Sequence, residues 1–509
     1  MKKILQLLTH RITLIITLML FQLAIFVGIV IFFNNYFIYF YALNIFLSIL
    51  VTFNIIYSKS NSAYRIAWLI PVLILPIFGT LLYLLFGIVY ISKSEKTKLE
   101  TINRKYKEAL PSNNLIDQIE KENKDAAAQA KYIYKYADTP IYDNTESKYY
   151  KSGEEVFPVI LENLRNAKKY IFIEYFILNS SSSMWQEILE ILKDKVKEGL
   201  DIRVIYDDIG SMFALPYKYN NELNKLGIKC MIFNPFIPVL SPKFNNRSHR
   251  KSLIIDGEIA YTGGINIADE YINRIERFGY WKDTVIELIG DASWAMSVSF
   301  LTIWDYLTHE RDDYNYYKPK RKLMKQATGY CQPFLDTPFD DEFVSENIFL
   351  NLISKAKDYI YITTPYLIID NELQQALSNA AKAGIKVIIA TPHIPDKWYI
   401  FAVTRAYYEQ LLECEVEIYE YTPGFLHAKS IVVDDLYGYV GSVNLDYRSL
   451  FLHFENGVWL YKTNSILEIK EDFKDIIKVS QQITLEDAQN VVWYRKLGRT
   501  ILRVFSPLM

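Results

Sequence analysis

The chain has 509 residues, enough for two or three domains with sizeable cores. Its 56 basic and 58 acidic residues nearly cancel, so the overall positive field that draws a protein to nucleic acid is missing. Three cysteines, Cys230, Cys331 and Cys414, share no metal-ligand spacing with one another or with histidine, which argues against a zinc site and predicts free buried thiols.

Charge is unevenly spread. Not one charged side chain occurs from Ile12 to Ser58. The run divides at Asn34-Asn35 into residues 12–33 and 36–57, each long enough as a helix to cross a hydrocarbon core of about 30 Å. It is too long for a signal peptide, and no small-residue cleavage site follows it. A third apolar stretch, residues 66–91, carries Pro71, Pro76 and Gly79 near its middle, which predicts a kinked span or a re-entrant hairpin. Lys2, Lys3 and Arg11 precede the first span, Lys59 and Arg65 follow the second, and Lys93, Lys96 and Lys98 follow the third stretch. Keeping these basic flanks inside favours the re-entrant form, with residues 1–91 as a membrane region and the catalytic region cytoplasmic.

Residues 92–135 are polar and lysine-rich and read as a helical linker. After it the chain repeats itself. NAKKYIFIEYFI (166–177) is similar to KAKDYIYITTPYLI (355–368), and KEGLDIRVIYDD (197–208) to KAGIKVIIATP (382–392). The offset shrinks from 189 at Tyr170/Tyr359 to 178 at His249/His427, as one duplicated unit with small deletions would give. The expected halves are 136–325 and 326–509. In each, short β-branched runs alternate with amphipathic helices such as 185–197 and 371–383, which predicts an α/β fold with buried mixed sheets.

Each half carries an H-x-K-x-x-x-x-D block: His249, Lys251 and Asp256, then His427, Lys429 and Asp434. Histidine and lysine, two apart at the start of a strand, share one face. With lysine and aspartate each near 6% of residues, six histidines would give about 0.02 chance matches. Two in register with a repeat therefore mark a site. The pattern suits a phosphodiester. One neutral imidazole attacks phosphorus, a second protonates the leaving alkoxide, and the lysines hold the charge that grows on the phosphoryl oxygens, all without a metal. Asn266 and Asn444, in GGIN and GSVN, offer amide donors. Asp283 in YWKDT and Glu455 in HFENG are candidate carboxylates to orient the imidazoles. Asp256 and Asp434 lie at strand ends, where structural support is expected rather than proton transfer. His10, His309 and His393 read as ordinary polar residues, and His453 stays open.

The blocks NNRSHRKSLIIDGEIAYTGGINIADEY and FLHAKSIVVDDLYGYVGSVNLDYRS resemble the phospholipase D superfamily. Taken with SAYRIAWLIPVLILPIFGTLLYLLFG, FIEYFI, FGYWKDT and ITTPYLIID, the resemblance narrows to the bacterial cardiolipin synthases. It implies N-terminal membrane helices followed by two phospholipase D-like α/β halves packed around a shared active-site cleft. It further implies transfer of a phosphatidyl group between two phosphatidylglycerols, giving cardiolipin and glycerol through a phosphatidyl-histidine, with His249 as nucleophile. Phosphatidylglycerol and an anionic membrane are the implied partners, with no cofactor. Two features depart from the family pattern: an extra hydrophobic span, and His453 where many relatives have asparagine. A hydrolase would use the same residues with water as acceptor, a nuclease would want a basic groove, and a lipid-binding scaffold would have no reason to keep both motifs. In the tail, Leu497, Ile501 and Val504 recur at helical spacing among Arg495, Lys496, Arg499 and Arg503, so a helix lying on an anionic bilayer or docked on its own domain is expected.

Overall fold

The computed structural model describes residues 37–87, 101, 104–111, 115–236, 245–308, 312–320, 327–340 and 342–508, with scattered positions between 20 and 32. Most of the first expected span, the end of the third stretch, His10, His309 and much of residues 92–114 lie outside the described residues. The chain divides into two units, one holding residues 1–91 with 234–246, the other nearly all the rest.

In the first unit, a helix runs Phe37–Tyr57 without a charged residue. Among the described residues no helix is long and apolar enough to cross a membrane. The described apolar side chains of Phe37–Tyr57 are largely exposed, including Leu43, Phe46, Leu50 and Phe53. The third stretch forms two helices, Ser62–Ile74 and Pro76–Leu82, broken at Leu75 and followed by a wide turn of helix at Tyr83–Gly87. The break reverses the chain. Gly79 lies so close to the Pro71 carbonyl that a Cβ would overlap it, although eight residues of continuous helix would separate them by about 12 Å. Trp68 and Tyr83 meet edge to face at 5.5 Å, and Ile55 and Val72 complete a small core.

The second unit is built on two sheets of matching order. The first holds seven strands, in the order Thr145–Tyr150, Val285–Gly290, Ile259–Gly263, Lys251–Ile255, Tyr170–Tyr175, Asp201–Asp207 and Lys229–Phe233. The second repeats that order as Tyr330–Asp336, Glu455–Tyr461, Tyr437–Gly441, Ser430–Val433, Tyr359–Thr363, Lys386–Pro392 and Glu417–Tyr421, and adds Ser480–Ile483 at the edge. Both are mixed: Tyr170–Tyr175 pairs parallel with Asp201–Asp207 and antiparallel with Lys251–Ile255. YIFIEY is buried on both faces because helices cover the sheet, and its one charged residue, Glu174, accepts from Ser248 Oγ at 2.7 Å. The expected helices form at Ser183–Lys197, capped by Ser182, and Asn371–Lys382, capped by Asp370. One core cluster joins the halves, bringing Phe172, Ile254 and Ile286 together with Val432, Val440 and Val458.

Two expectations change. Residues 115–136, read as linker, form helices Leu115–Glu122 and Lys124–Tyr136 that pack on the second half: Ala126, Ala130 and Ile133 are buried, and Gln332 Nε2 donates to the Ala130 carbonyl at 3.1 Å. Their polar surface belongs to one face only, with alanines on the other. The cysteines are free, but Cys414 is only half-buried.

Candidate active site

The motif strands begin at a seam between the halves, and each seam pairing crosses to the other half. His249 N–H donates to the Phe454 carbonyl at 2.9 Å, and Phe454 N–H to the Arg247 carbonyl at 2.8 Å. On the other side, Gly424–Leu426 pairs with Tyr280–Lys282, and His427 N–H donates to the Lys282 carbonyl at 2.7 Å. The residue after each crossing partner is a carboxylate. Hence His249 Nδ1 meets Glu455 Oε1 at 2.8 Å, and His427 Nδ1 meets Asp283 Oδ2 at 2.7 Å. Each imidazole is oriented by the opposite half. A carboxylate accepts, so the proton sits on Nδ1 and the Nε2 lone pair is free for chemistry.

Both carboxylates are themselves held. Thr284 N–H donates to Asp283 Oδ1 at 2.8 Å, and Ser442 Oγ donates to Glu455 Oε2. Gly264 stands against Asp283 so closely that any Cβ would strike the carboxylate. The second half has Ser442 at the matching place in its motif and uses the hydroxyl. Sequence reasoning missed Ser442; the one difference between GGIN and GSVN that marks it was visible.

The two histidines face one cavity of about 520 Å³, together with Asn266, Asn444 and His453. Its walls are aromatic, with Phe176 against His249 at 5.1 Å and Trp281 against His427 at 5.4 Å between ring centroids. Asn266 Oδ1 accepts from Ile177 N–H at 3.0 Å and its amide donates to Tyr271 Oη at 2.9 Å, while Asn444 Oδ1 is buried without a hydrogen-bond partner. The wall residues were not singled out from sequence, because aromatics at such spacing read equally well as core.

Lys251 and Lys429 are each only 1% exposed, and each ammonium donates to the carbonyl of its own motif histidine. Burial lowers their pKa values, to about 7 for Lys251 and about 8 for Lys429, against the pull of Glu455 and Asp283. Burial also drives His249 well below 6.5, helped by Lys251 and Lys429. His427 falls to about 4, through burial and Lys429, with Asp283 pulling the other way. The carboxylates differ. Burial lifts Glu455 to about 7 despite Lys251, whereas for Asp283 burial is outweighed by His427, through its Nδ1–H and its charge once protonated in acid, and by Lys429, so its pKa is lowered. Both imidazoles are therefore neutral near pH 7, and Asp283 is the more firmly ionised partner.

Asp256 and Asp434, grouped with the motif residues from sequence, stand apart from the cavity. Five residues beyond each lysine, roughly 16 Å along a strand, they take left-handed turns at φ 56° and 53°. Asp256 accepts backbone N–H bonds from Lys168, Lys169 and Tyr170 at 2.7–2.9 Å. Asp434 accepts the equivalent bonds from Lys357, Asp358 and Tyr359 at 2.6–3.0 Å. They fasten the motif hairpin to the start of the neighbouring strand.

His393 joins Arg405 on Glu420, away from the motif histidines. His453 reaches the cavity, its ring 5.6 Å from His249, with neither nitrogen hydrogen-bonded; burial and Arg448 hold its pKa well below 6.5. His249, His453 and Glu455 offer ligand atoms within 4.8 Å of one another. However, His249 Nδ1 is committed to Glu455, and the nearby lysine cations oppose a divalent ion.

Comparison with known proteins agrees with this geometry. The family model described as cardiolipin synthase, phospholipase D-like domain, matches residues 160–276 and 349–477, and the phospholipase D-nuclease N-terminal model matches 46–87. A cardiolipin synthase of Halalkalibacterium halodurans is 33% identical, aligned over 91% of this chain and 93% of its own. An uncharacterized protein of Streptococcus mutans is 39% identical over 89% and 98% of the two chains. The crystal structure of a phosphatidylserine synthase of Haemophilus influenzae shares the fold, with a TM-score of 0.58 at 16% identity, covering 75% of this chain and 97% of that one. The chain belongs to the bacterial cardiolipin synthases, phosphatidyltransferases of the phospholipase D superfamily.

Proposed function

We propose that the enzyme transfers a phosphatidyl group from one phosphatidylglycerol to the glycerol hydroxyl of another, forming cardiolipin and releasing glycerol. The observation that carries this reading is the pair of crossed imidazole–carboxylate contacts opening on one cavity. His249 Nε2 attacks phosphorus, the bond from phosphorus to the departing glycerol oxygen breaks, and His427 gives that oxygen its proton. His427 then takes the proton of the incoming lipid hydroxyl, whose oxygen attacks phosphorus and expels His249. A bound phosphodiester brings negative charge beside both imidazoles and raises their pKa values. The better-ionised partner, Asp283, favours His427 as the group that charges, and the less fully ionised Glu455 leaves His249 neutral as nucleophile. Lys251 and Lys429 turn from the histidine carbonyls to the phosphoryl oxygens, with Asn266 and Asn444 beside them.

The first unit fits a lipid bilayer, since the helix Phe37–Tyr57 exposes apolar side chains along its length and the hairpin reversing at Leu75 returns the chain to the side it came from. That reading goes with a cytoplasmic catalytic region. Single cysteines at Ser60 and Glu471, in a background without the native three, should resist an impermeant thiol reagent in intact cells; labelling at Glu471 would place catalysis outside.

The function is tested by incubating the purified protein with phosphatidylglycerol vesicles and quantifying cardiolipin, glycerol and phosphatidic acid. Cardiolipin and glycerol in equal amounts are expected, and phosphatidic acid as the main product would make water the acceptor. His249→Ala and His427→Ala should each abolish turnover, and a phosphatidyl adduct trapped on His427 would reverse the roles.

A further inference from the structure

The helix Trp493–Phe505 is mounted with its apolar side outward. Two of its cations, Arg503 and Lys496, are anchored on the protein. Arg503 lies over the Tyr407 ring at 4.2 Å and donates to Gln374 Oε1 at 3.0 Å and Gln410 Oε1 at 2.8 Å, and Lys496 reaches Glu409 at 3.0 Å. These anchors hold it on the helix Trp398–Leu412. At 3.6 residues per turn, Trp493, Leu497, Ile501 and Val504 fall within an arc of about 80°. All four are exposed, Trp493 at 76%, and Tyr494 stands at the edge of the stripe. A helix free to choose its face in water would bury this stripe. The exposed stripe needs something apolar outside.

Two further observations identify it. Ser506, the residue after the helix, lines the catalytic cavity, as do Tyr399 and Ile400 of the supporting helix, so the Val504 end of the stripe lies close to the cavity. Trp398, 74% exposed, joins Trp493 and Tyr494 as aromatics of the kind that settle at the headgroup level. Arg495 and Lys496, in its first turn, stay exposed and the helix has no acidic residue, which suits an anionic lipid surface rather than a neutral one.

We propose that the helix Trp493–Phe505 beds its apolar stripe in an anionic bilayer and so presses the cavity mouth against the membrane, where a phospholipid passes from the bilayer to His249 and His427 without crossing water. This rests on the proposed lipid substrate but makes its own prediction: the stripe matters for lipid in a membrane and not for the chemistry.

The full chain is reconstituted in vesicles of phosphatidylglycerol and phosphatidylcholine, with an environment-sensitive fluorophore on a single cysteine at Leu497, Ile501 or, as an exposed control, Glu471. Labels at 497 and 501 should be quenched by bromines on the acyl chains, and the label at 471 should not. The triple variant Trp493→Ser, Leu497→Ser, Ile501→Ser should lose about tenfold in turnover of vesicle phosphatidylglycerol, while turnover of dissolved dibutyryl phosphatidylglycerol stays within about twofold. Quenching no greater at 497 and 501 than at 471, or equal loss on both substrates, overturns the proposal. So does efficient crosslinking of two chains through a cysteine at 497, which would assign the stripe to a second copy. If the wild-type enzyme turns over neither substrate, the proposed function fails, and the quenching measurement alone decides the membrane contact.

Discussion

Replacing Asp283 with asparagine tests how the two halves share the chemistry. The side chain keeps its shape and its place between Thr284 N–H and His427 Nδ1, but it loses the charge that steadies an imidazolium 2.7 Å away. A hydrogen bond to a charged group is worth about 1.5–3 kcal/mol, so if His427 is charged only in the transition state, kcat should fall roughly 10- to 150-fold. A phosphatidyl ester of p-nitrophenol separates the steps, because that leaving group departs without a proton. With Asp283→Asn, the burst of p-nitrophenol should stay near the wild-type rate while steady turnover drops, and phosphatidyl-His249 should accumulate. Glu455→Gln should instead slow the burst, since that carboxylate orients the nucleophile at 2.8 Å. A loss below about threefold, or a burst lost in Asp283→Asn and kept in Glu455→Gln, would refute the assignment of acid and nucleophile.

Other outcomes follow from the same contacts. Asp434→Ala strips three backbone N–H groups of their acceptor, a cost of about 2 kcal/mol that should lower Tm by roughly 4–8 °C while kcat per folded enzyme changes less than about threefold. The pH profile of kcat/KM should be narrow. Lys251 and Lys429, lowered to about 7 and about 8, lose their charge as pH rises, so the rate falls on the alkaline side; Glu455, raised to about 7, takes a proton as pH falls, so the acid limb begins there. In kcat the alkaline limb should move upward, because bound phosphate favours the ammonium forms; coincident limbs in both profiles would argue against phosphate contact by the lysines. Activity should survive a strong chelator of divalent cations, and a complete loss restored by metal would mean that His249, His453 and Glu455 act as ligands.

The motifs were legible because they are local. His249 with Lys251 and His427 with Lys429 recur at one spacing, just ahead of or at the start of the strands Lys251–Ile255 and Ser430–Val433. Pro71, Pro76 and Gly79 also marked a break in the third stretch, which falls at Leu75 between the helices Ser62–Ile74 and Pro76–Leu82. Which carboxylate serves which imidazole was not legible. Asp283 and Glu455 were plain candidates, but their partners depend on how two sheets meet, through contacts such as Phe454 with Arg247 that no periodicity encodes. The outward stripe on Trp493–Phe505 escaped for the same reason. Sequence shows that a helix has two faces, and only packing shows which one the protein keeps.

The crossing makes each half depend on the other. If each half oriented its own histidine, a single half could form a rudimentary site and the duplicate would be free to drift. Here His249 without Glu455 loses the acceptor that fixes its proton on Nδ1, and His427 without Asp283 loses the charge that lets it become an acid. Neither half is complete. The asymmetry between the carboxylates, one lowered and one lifted to about 7, then becomes useful, because a symmetric pair would give two imidazoles of equal character. A double-displacement reaction needs one of each kind. Exchanging the two carboxylates, as Asp283→Glu with Glu455→Asp, should therefore hurt more than either change alone, and activity restored in the double variant would show that only the number of carboxylates matters.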